Sequence, residues 1–277
     1  MNNTTATLYI VSTPIGNLAD ITFRAVEALQ SADLIAAEDT RHSRILLEHF
    51  KITTHMTSLH GDNEKAKTTK LLRLLKEGKS IALISDAGTP LISDPGEYLV
   101  TQIRQAGFSV TPIPGACALI AALSVSGLST RRFRFEGFLP HKTKARREIM
   151  EASKYDSATL IFYESRHDIL DFFKLAISVF GGARQAVMAR ELTKQFETIH
   201  ADSLEMIYNW ILADKNQQKG EYVILIAGTE EQQDNSGQRI LEVLCKHLPT
   251  KQAAKLTAEI TGGSQRDYYQ QALTFKE

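Results

Sequence analysis

The feature that most constrains this chain is an alternation. From residue 8 onward, short β-rich runs and longer helix-patterned runs take turns, with tight Gly/Pro connections between them. Residues 8–12 read as a strand, followed by a turn holding Pro14, Gly16 and Asn17 and a helical pattern over 22–32. Residues 33–37, 57–60, 80–85 and 109–113 repeat the strand texture, and 40–50, 63–77, 96–106 and 115–125 the helical one. A parallel neighbour needs a crossover long enough to hold a helix, so this rhythm predicts an α/β fold with a largely parallel sheet.

Near Gly127 the texture changes. Strand patterns at 131–137, 158–163, 186–190, 197–200 and 221–227 are mixed with helical ones at 142–155, 166–180 and 203–212. The last two strand patterns flank the helical one at 203–212, and this half reads as mixed α+β. A polar stretch at 228–237 reads as a linker, and helical patterns follow at 238–247, 251–261 and 265–273. The expected division is an α/β domain over 1–126, a second over 127–232 and a helical tail over 233–277. At 277 residues the chain is long enough for one large or two medium domains.

Bulk features exclude several classes. Lys and Arg total 32 against 32 Asp and Glu, so the chain is not a uniformly basic nucleic-acid coat, although local patches survive a zero sum. The cysteines, Cys117 and Cys245, lie far apart and form no CxxC pair. That argues against a disulfide framework or structural zinc, and no metal is expected. No apolar run approaches the ~18 residues of a membrane span, and residues 1–11 lack the pattern of a secretory leader. The expectation is a soluble cytoplasmic protein.

Chemistry concentrates at predicted strand ends. Ser85-Asp86-Ala87-Gly88-Thr89-Pro90, continuing to Gly96, follows one strand and precedes a helix. Thr13-Pro14-Ile15-Gly16-Asn17 follows the first strand, and Pro112-Ile113-Pro114-Gly115-Ala116 the fifth. One such loop alone reads equally as a plain turn. Three of them place backbone close to a ligand along one sheet edge, where α/β sheets bind nucleotide-like molecules. Neither GxGxxG nor GxxxxGK[ST] is present, so a dehydrogenase or P-loop enzyme is disfavoured.

Charged groups gather at other strand ends: Glu38, Asp39 and Arg41; His60, Asn63 and Glu64; Glu164, Arg166 and His167. Capping accounts for Asp39 but not for Arg41, a cation in a first turn. Residues 131–147 hold seven cations (Arg131, Arg132, Arg134, Lys142, Lys144, Arg146, Arg147) against Glu136, with Phe133, Phe135 and Phe138 between them. This is either an RNA-contacting patch or a solvated helix beside core phenylalanines.

Taken together, TPIGNL (13–18), EDTR (38–41), SDAGTPLISDPG (85–96), PGACA (114–118), GFLP (137–140), YESRH (163–167) and GEYVIL (220–225) resemble the ribosomal RNA small subunit methyltransferase I family, within the tetrapyrrole methylase-like S-adenosylmethionine (SAM) enzymes. The resemblance runs from about residue 8 to 227. It implies two α/β domains of the tetrapyrrole methylase type, a class III SAM methyltransferase, with a small helix-turn-helix-like tail. It implies SAM in the cleft, a 16S rRNA substrate within the small ribosomal subunit methylated at a cytidine 2′-oxygen in the decoding region, a homodimer and no metal. Carried over by motif, SAM would meet Pro14, Ile15, Gly16, Asp86, Gly88, Thr89, Pro90, Gly115, Cys117, Ala118, Phe162 and Tyr163. Glu38, Asp39, Arg41, Glu164 and Arg166 are the catalytic candidates, and His60, Lys142, Lys144, Arg146 and Arg147 the RNA-contacting ones. The sequence departs from the family pattern His-x-His-Asn-Glu at Asp62, so a role needing histidine there is in doubt. The rival readings are a tetrapyrrole methyltransferase on the same fold and a non-catalytic RNA-binding protein.

Overall fold

A computed structural model describes residues 6–229 and 236–274. These fall into two compact units, the first ending at Gly228. The first unit is built on two five-stranded sheets.

The first sheet has the order β3-β2-β4-β1-β5, from β1 (Thr7–Val11), β2 (Leu34–Ala37), β3 (Met56–Ser58), β4 (Ile81–Ile84) and β5 (Ser109–Ile113). Every pairing in it is parallel, as the alternation predicts. Helices α1 (Phe23–Ser31), α2 (Thr40–His49), α3 (Glu64–Lys76) and α4 (Glu97–Gln105) make the crossovers. All four residues of β4 are buried, which is what a central strand covered on both faces demands. One core holds Val11, Leu29, Ile35 and Ile84, and a second holds Leu8, Leu71, Leu75 and Leu99.

Local chemistry sets the helix ends. Thr22 caps α1 by accepting from the Ala25 N–H, and Asp39 caps α2 by accepting from the Arg41 N–H. The Glu64 carboxylate accepts from the Leu99 N–H at 2.9 Å, so this member of the His60–Glu64 motif secures the first turn of α4.

The second sheet has the order β6-β7-β10-β8-β9, from β6 (Phe133–Phe138), β7 (Thr159–Ser165), β8 (Gln185–Arg190), β9 (Thr198–Ser203) and β10 (Glu221–Ile226). Only β6 and β7 are parallel among its pairs; the rest are antiparallel. Helices α6 (Thr143–Ala152), α7 (Ile169–Phe180) and α8 (Leu204–Ala213) belong to this half, and one face is covered by a core containing Phe162, Phe172 and Phe173.

The other face packs against α5 (Ala118–Val125), which follows β5. Leu119, Ala122 and Leu123 of α5 join Ile161, Val187 and Leu225 in one cluster. A helix that leaves the first sheet thus completes the core of the second. That shared core is why both sheets belong to one compact unit.

The second unit contains α9 (Ser236–Cys245), α10 (Thr250–Thr261) and α11 (Gln265–Thr274) around Leu241, Ala253, Ala254 and Ala272. Gly262 ends α10 in the left-handed conformation at φ 72°, the usual role of glycine there. Most of the expected linker at 228–237 lies outside the described residues.

Candidate functional site

Strands β4, β1 and β5 are neighbours, so their carboxyl-end loops emerge side by side. The loops are tied together. Thr13 N–H donates to Gly88 O at 2.8 Å and Gly88 N–H returns to Thr13 O at 3.1 Å. Thr89 Oγ1 donates to Ala116 O at 3.0 Å and lies 2.9 Å from Ser12 Oγ. The second loop is tightly wound, with Leu91 and Ser93 at φ 74° and 71°. Such conformations are costly for side-chain-bearing residues and persist where the surroundings hold them.

These loops form one wall of a cavity of about 330 Å³. Ile15, Asp86, Gly88, Thr89, Cys117 and Ala118 line it, together with Ile92, Ser93 and Asp94. The ends of the second sheet supply Phe138, Tyr163, Glu164, Glu191, Leu192, Glu221 and Val223. Gly88 has φ +84°, and a Cβ there would stand 3.2 Å from Ile15 Cγ2, so glycine suits both the turn and the close wall.

Charge defines the cavity. Glu38, Asp86, Asp94, Glu164, Glu191 and Glu221 line it, against a single cation, Lys194. Burial raises the Glu38 carboxyl, and the charges of Asp86 and Asp39 add to the effect. Burial likewise pushes Asp94 up to about 6, helped by Glu38 and Asp86 and opposed by a hydrogen bond from Ser85. Glu164 is also raised by burial, although Arg146 opposes it. Lys194 Nζ donates to Glu191 Oε1 at 3.0 Å and to Glu221 Oε2 at 2.7 Å. Burial works against its charge, yet these two carboxylates hold its pKa above the ordinary lysine value.

The site candidates separate by position. Glu38 and Glu164 line the cavity. Asp39, Arg41 and Arg166 are not among its lining residues. Arg41 is 89% exposed and hydrogen-bonded to Asp39, whose carboxyl is held far below the usual range by those bonds. Arg166 Nε instead meets His167 Nε2 at 3.2 Å. Pro90 and Gly115 do not line the cavity either; Gly115 backs onto Ser12, whose Cβ a side chain would meet at 2.8 Å. Phe162 is fully buried in the far-side core with its ring against Phe172. Because side chains alternate along β7, Tyr163 is the one that faces the cavity. Its hydroxyl accepts from the Leu119 N–H at 3.1 Å at the start of α5, and burial raises its pKa.

The basic segment is less free than its composition suggests. Arg146 is buried, with its guanidinium against Glu164 and 3.6 Å from Asp168. It is therefore an interior ion-pair partner, not a surface RNA contact. Arg134 pairs with Glu136 and Asp156. Arg147 reaches Glu151 and Ser178, while Lys144 is 91% exposed with Glu148 at 3.9 Å. Lys142 is exposed at the N-cap of α6, and His60 is half-exposed, 3.9 Å from Asp62.

A second cavity, of about 270 Å³, adjoins the first. Pro14 and Gly16 line this one, with Leu18, His42, Ile45 and Leu46. The two share Ile15, Asp86, Ala87, Lys194 and Glu221. Sequence reasoning missed Asp94, Glu191, Lys194 and Glu221 as site residues. The available signal was charge at element ends: Asp94 in the 85–96 loop, Glu191 and Lys194 just past β8, and Glu221 at the start of β10.

Comparison with known proteins gives one consistent picture. The family described as Tetrapyrrole (Corrin/Porphyrin) Methylases matches residues 7–207, and the RsmI C-terminal HTH domain matches 231–276. Ribosomal RNA small subunit methyltransferase I of Escherichia coli O157:H7 is 50% identical over 275 residues, covering 98% of this chain and 96% of that one. The protein of that name from Haemophilus influenzae is 48% identical with 100% coverage of both, and the one from Vibrio cholerae 54% identical over 91% and 89%. Among solved structures, a diphthine synthase superposes with TM-score 0.63 at 17% identity, covering 80% of this chain and 90% of its own. Cobalt precorrin-4 methyltransferase does so with 0.59 at 16%, covering 82% and 97%. At that identity these two show the fold alone.

Proposed function

Since this chain belongs to the ribosomal RNA small subunit methyltransferase I family, within the tetrapyrrole methylases, we propose that it transfers a methyl group from SAM to the ribose 2′-oxygen of a cytidine in the decoding region of 16S rRNA. The observation that carries the cofactor reading is the charge of the larger cavity, where Glu38, Asp86, Asp94, Glu191 and Glu221 outnumber one lysine, while Glu164 is taken up by Arg146. That lining suits a ligand with a sulfonium and an ammonium, and it repels a phosphorylated one. The glycine-bearing loops let backbone approach a nucleoside, as SAM requires.

SAM supplies an activated methyl group. The chain's residues must hold it, align the acceptor oxygen, exclude water and take a proton. Asp86, Thr89, Cys117 and Ala118 stand where they would hold the nucleoside, and Asp94 and Glu191 add negative charge for its cationic end. Of the catalytic candidates, Glu38 fits the proton acceptor best. It lines the cavity, burial raises its pKa, and no ion pair engages it among the described residues. Glu164 is already engaged by Arg146. Exposed Lys142 and Lys144, with Arg41 on the other half, suit phosphate contacts that position the RNA.

The test incubates the protein and labelled SAM with small ribosomal subunits from a strain lacking this activity, followed by ribose-methyl mapping. A new methyl at one decoding-region cytidine supports the reading, and Glu38→Gln should lower the single-turnover rate by about 100-fold or more. Methylation of a precorrin without any RNA product would overturn it. Light scattering in the same preparation tests the homodimer.

A further inference from the structure

The methyl-transfer reading leaves the second cavity without an occupant. We propose that it is the subsite for the acceptor nucleoside, and that Lys194 is a catalytic residue whose ammonium holds the acceptor oxygen at the wall between the two cavities. This rests on the reading of the chain as an RNA ribose methyltransferase.

The argument begins with contiguity. Acceptor and donor must meet, and the two cavities share Ile15, Asp86, Ala87, Lys194 and Glu221. The larger cavity already suits the donor. The second, at about 270 Å³, is near the lower end of small-ligand pockets, roughly 300 Å³, which suits one nucleoside displaced from its strand. Its lining also fits one. Pro14, Leu18, Ile45 and Leu46 give apolar surface for a base, and His42 a polar edge. Ile45 is 63% exposed, an unusual exposure for an isoleucine lining a concavity unless something covers it. Arg41 and Arg44 lie exposed on the same helix, α2, where flanking phosphates would remain outside.

Lys194 is the cation of the shared wall. Its ammonium has three donors, of which Glu191 and Glu221 take two. The third is left for an acceptor oxygen. The chain is shaped around this side chain. Glu191 and Thr193 are non-glycine residues at φ 50° and 65°. A Cβ on Gly16 would stand 2.5 Å from Lys194 Cγ, and one on Gly220 2.6 Å from Glu191 Cγ. Two glycines thus leave room for the lysine and for one of its anchoring carboxylates. The anchors also keep it protonated, so it acts as a hydrogen-bond donor and not as a base.

In the step this implies, the acceptor oxygen forms its bond to the methyl carbon as the carbon–sulfur bond breaks, and that bond's electron pair stays on sulfur, cancelling its positive charge. The hydroxyl proton passes to Glu38, whose Oε2 accepts from the Asp86 N–H at 3.4 Å beside the same wall. Lys194 stabilises the negative charge that grows on oxygen.

The test uses the full chain with unmethylated small subunits, reading SAM affinity by calorimetry, subunit affinity by filter binding and the single-turnover rate. Lys194→Met should lower the rate about 100-fold, as loss of one such donor does, without weakening SAM binding, because it frees Glu191 and Glu221 to attract the cationic donor. Lys194→Arg should recover part of the rate. Ile45→Trp, at an exposed position, should weaken subunit affinity or rate at least about tenfold without changing SAM affinity. A wild-type rate in Lys194→Met, or wild-type rate and subunit affinity together in Ile45→Trp, overturns the proposal, as does a loss of SAM affinity in Lys194→Met matching its loss of rate. If the wild-type protein itself fails to methylate the subunits, the functional reading falls and this proposal with it.

Discussion

Arg146→Met isolates one interaction whose energetics can be worked from the structure. Arg146 and Glu164 are 7% and 4% exposed at the side chain, with Asp168 the only other acid paired with Arg146 among the described residues. Removing the arginine leaves Glu164 buried without its cation, which costs about 3–5 kcal/mol. The penalty depends on pH. The folded pKa of Glu164 is already raised, by burial, and loss of Arg146 raises it further. A raised folded pKa means that the stability advantage of protonation is fully present below the unfolded value of about 4.3 and is lost as pH rises through the folded pKa. Wild type shares the lower part of this loss, so the gap between the two proteins widens, by about 1.4 kcal/mol per pH unit, only from the folded pKa of the wild type up to that of the variant.

The assay is urea unfolding followed by Trp210, the only tryptophan, which packs against the core of the second sheet. Arg146→Met/Glu164→Leu should recover most of the loss, because a buried pair replaced whole by apolar groups is often neutral. A pH-independent loss in Arg146→Met, or a double variant no more stable than the single one, would refute the reasoning.

Three further outcomes follow from the same geometry. Because Asp94 is pushed up to about 6, SAM affinity should fall as pH drops through that value, and Asp94→Asn should weaken binding at pH 8 while flattening this limb in calorimetry from pH 5 to 8. Gly220→Ala places a Cβ against Glu191 at a φ of +104°; it should cost about 1–3 kcal/mol in chemical denaturation and weaken SAM binding through Glu191. Deleting residues 235–277 removes most of a separate compact unit, so subunit affinity should fall more than SAM affinity; equal losses would mean that the tail supports the fold instead.

Much of this was legible from local pattern. The first sheet is parallel because Gly78 and Gly107 close helices after which new strands begin, and those are signals within a few residues. The Gly/Pro loops at 13–17, 85–96 and 112–116 were readable as ligand-facing for the same reason: turn chemistry is local. Where reasoning from the sequence slipped, the deciding contact was distant. The strand texture around 158–163 cannot say which of Phe162 and Tyr163 faces the cavity; the packing of α5 on one side and α7 on the other does. Charge counting over 131–147 cannot say that Arg146 turns inward, since its partner Glu164 arrives on β7.

By itself, then, the sequence determined the order of elements, the parallel first half, the loops that meet a ligand and the family. Periodicity, capping and turn residues act within one or two turns of chain, so they can be read along it. Only the tertiary structure decided that the second sheet is mostly antiparallel, that α5 binds the two halves through one core, and that Lys194 reaches the wall shared by two cavities. Those outcomes depend on which side chains share a desolvated space. Pairing a charge with a partner, or covering an apolar face, is settled by the whole packed chain and not by neighbours in sequence.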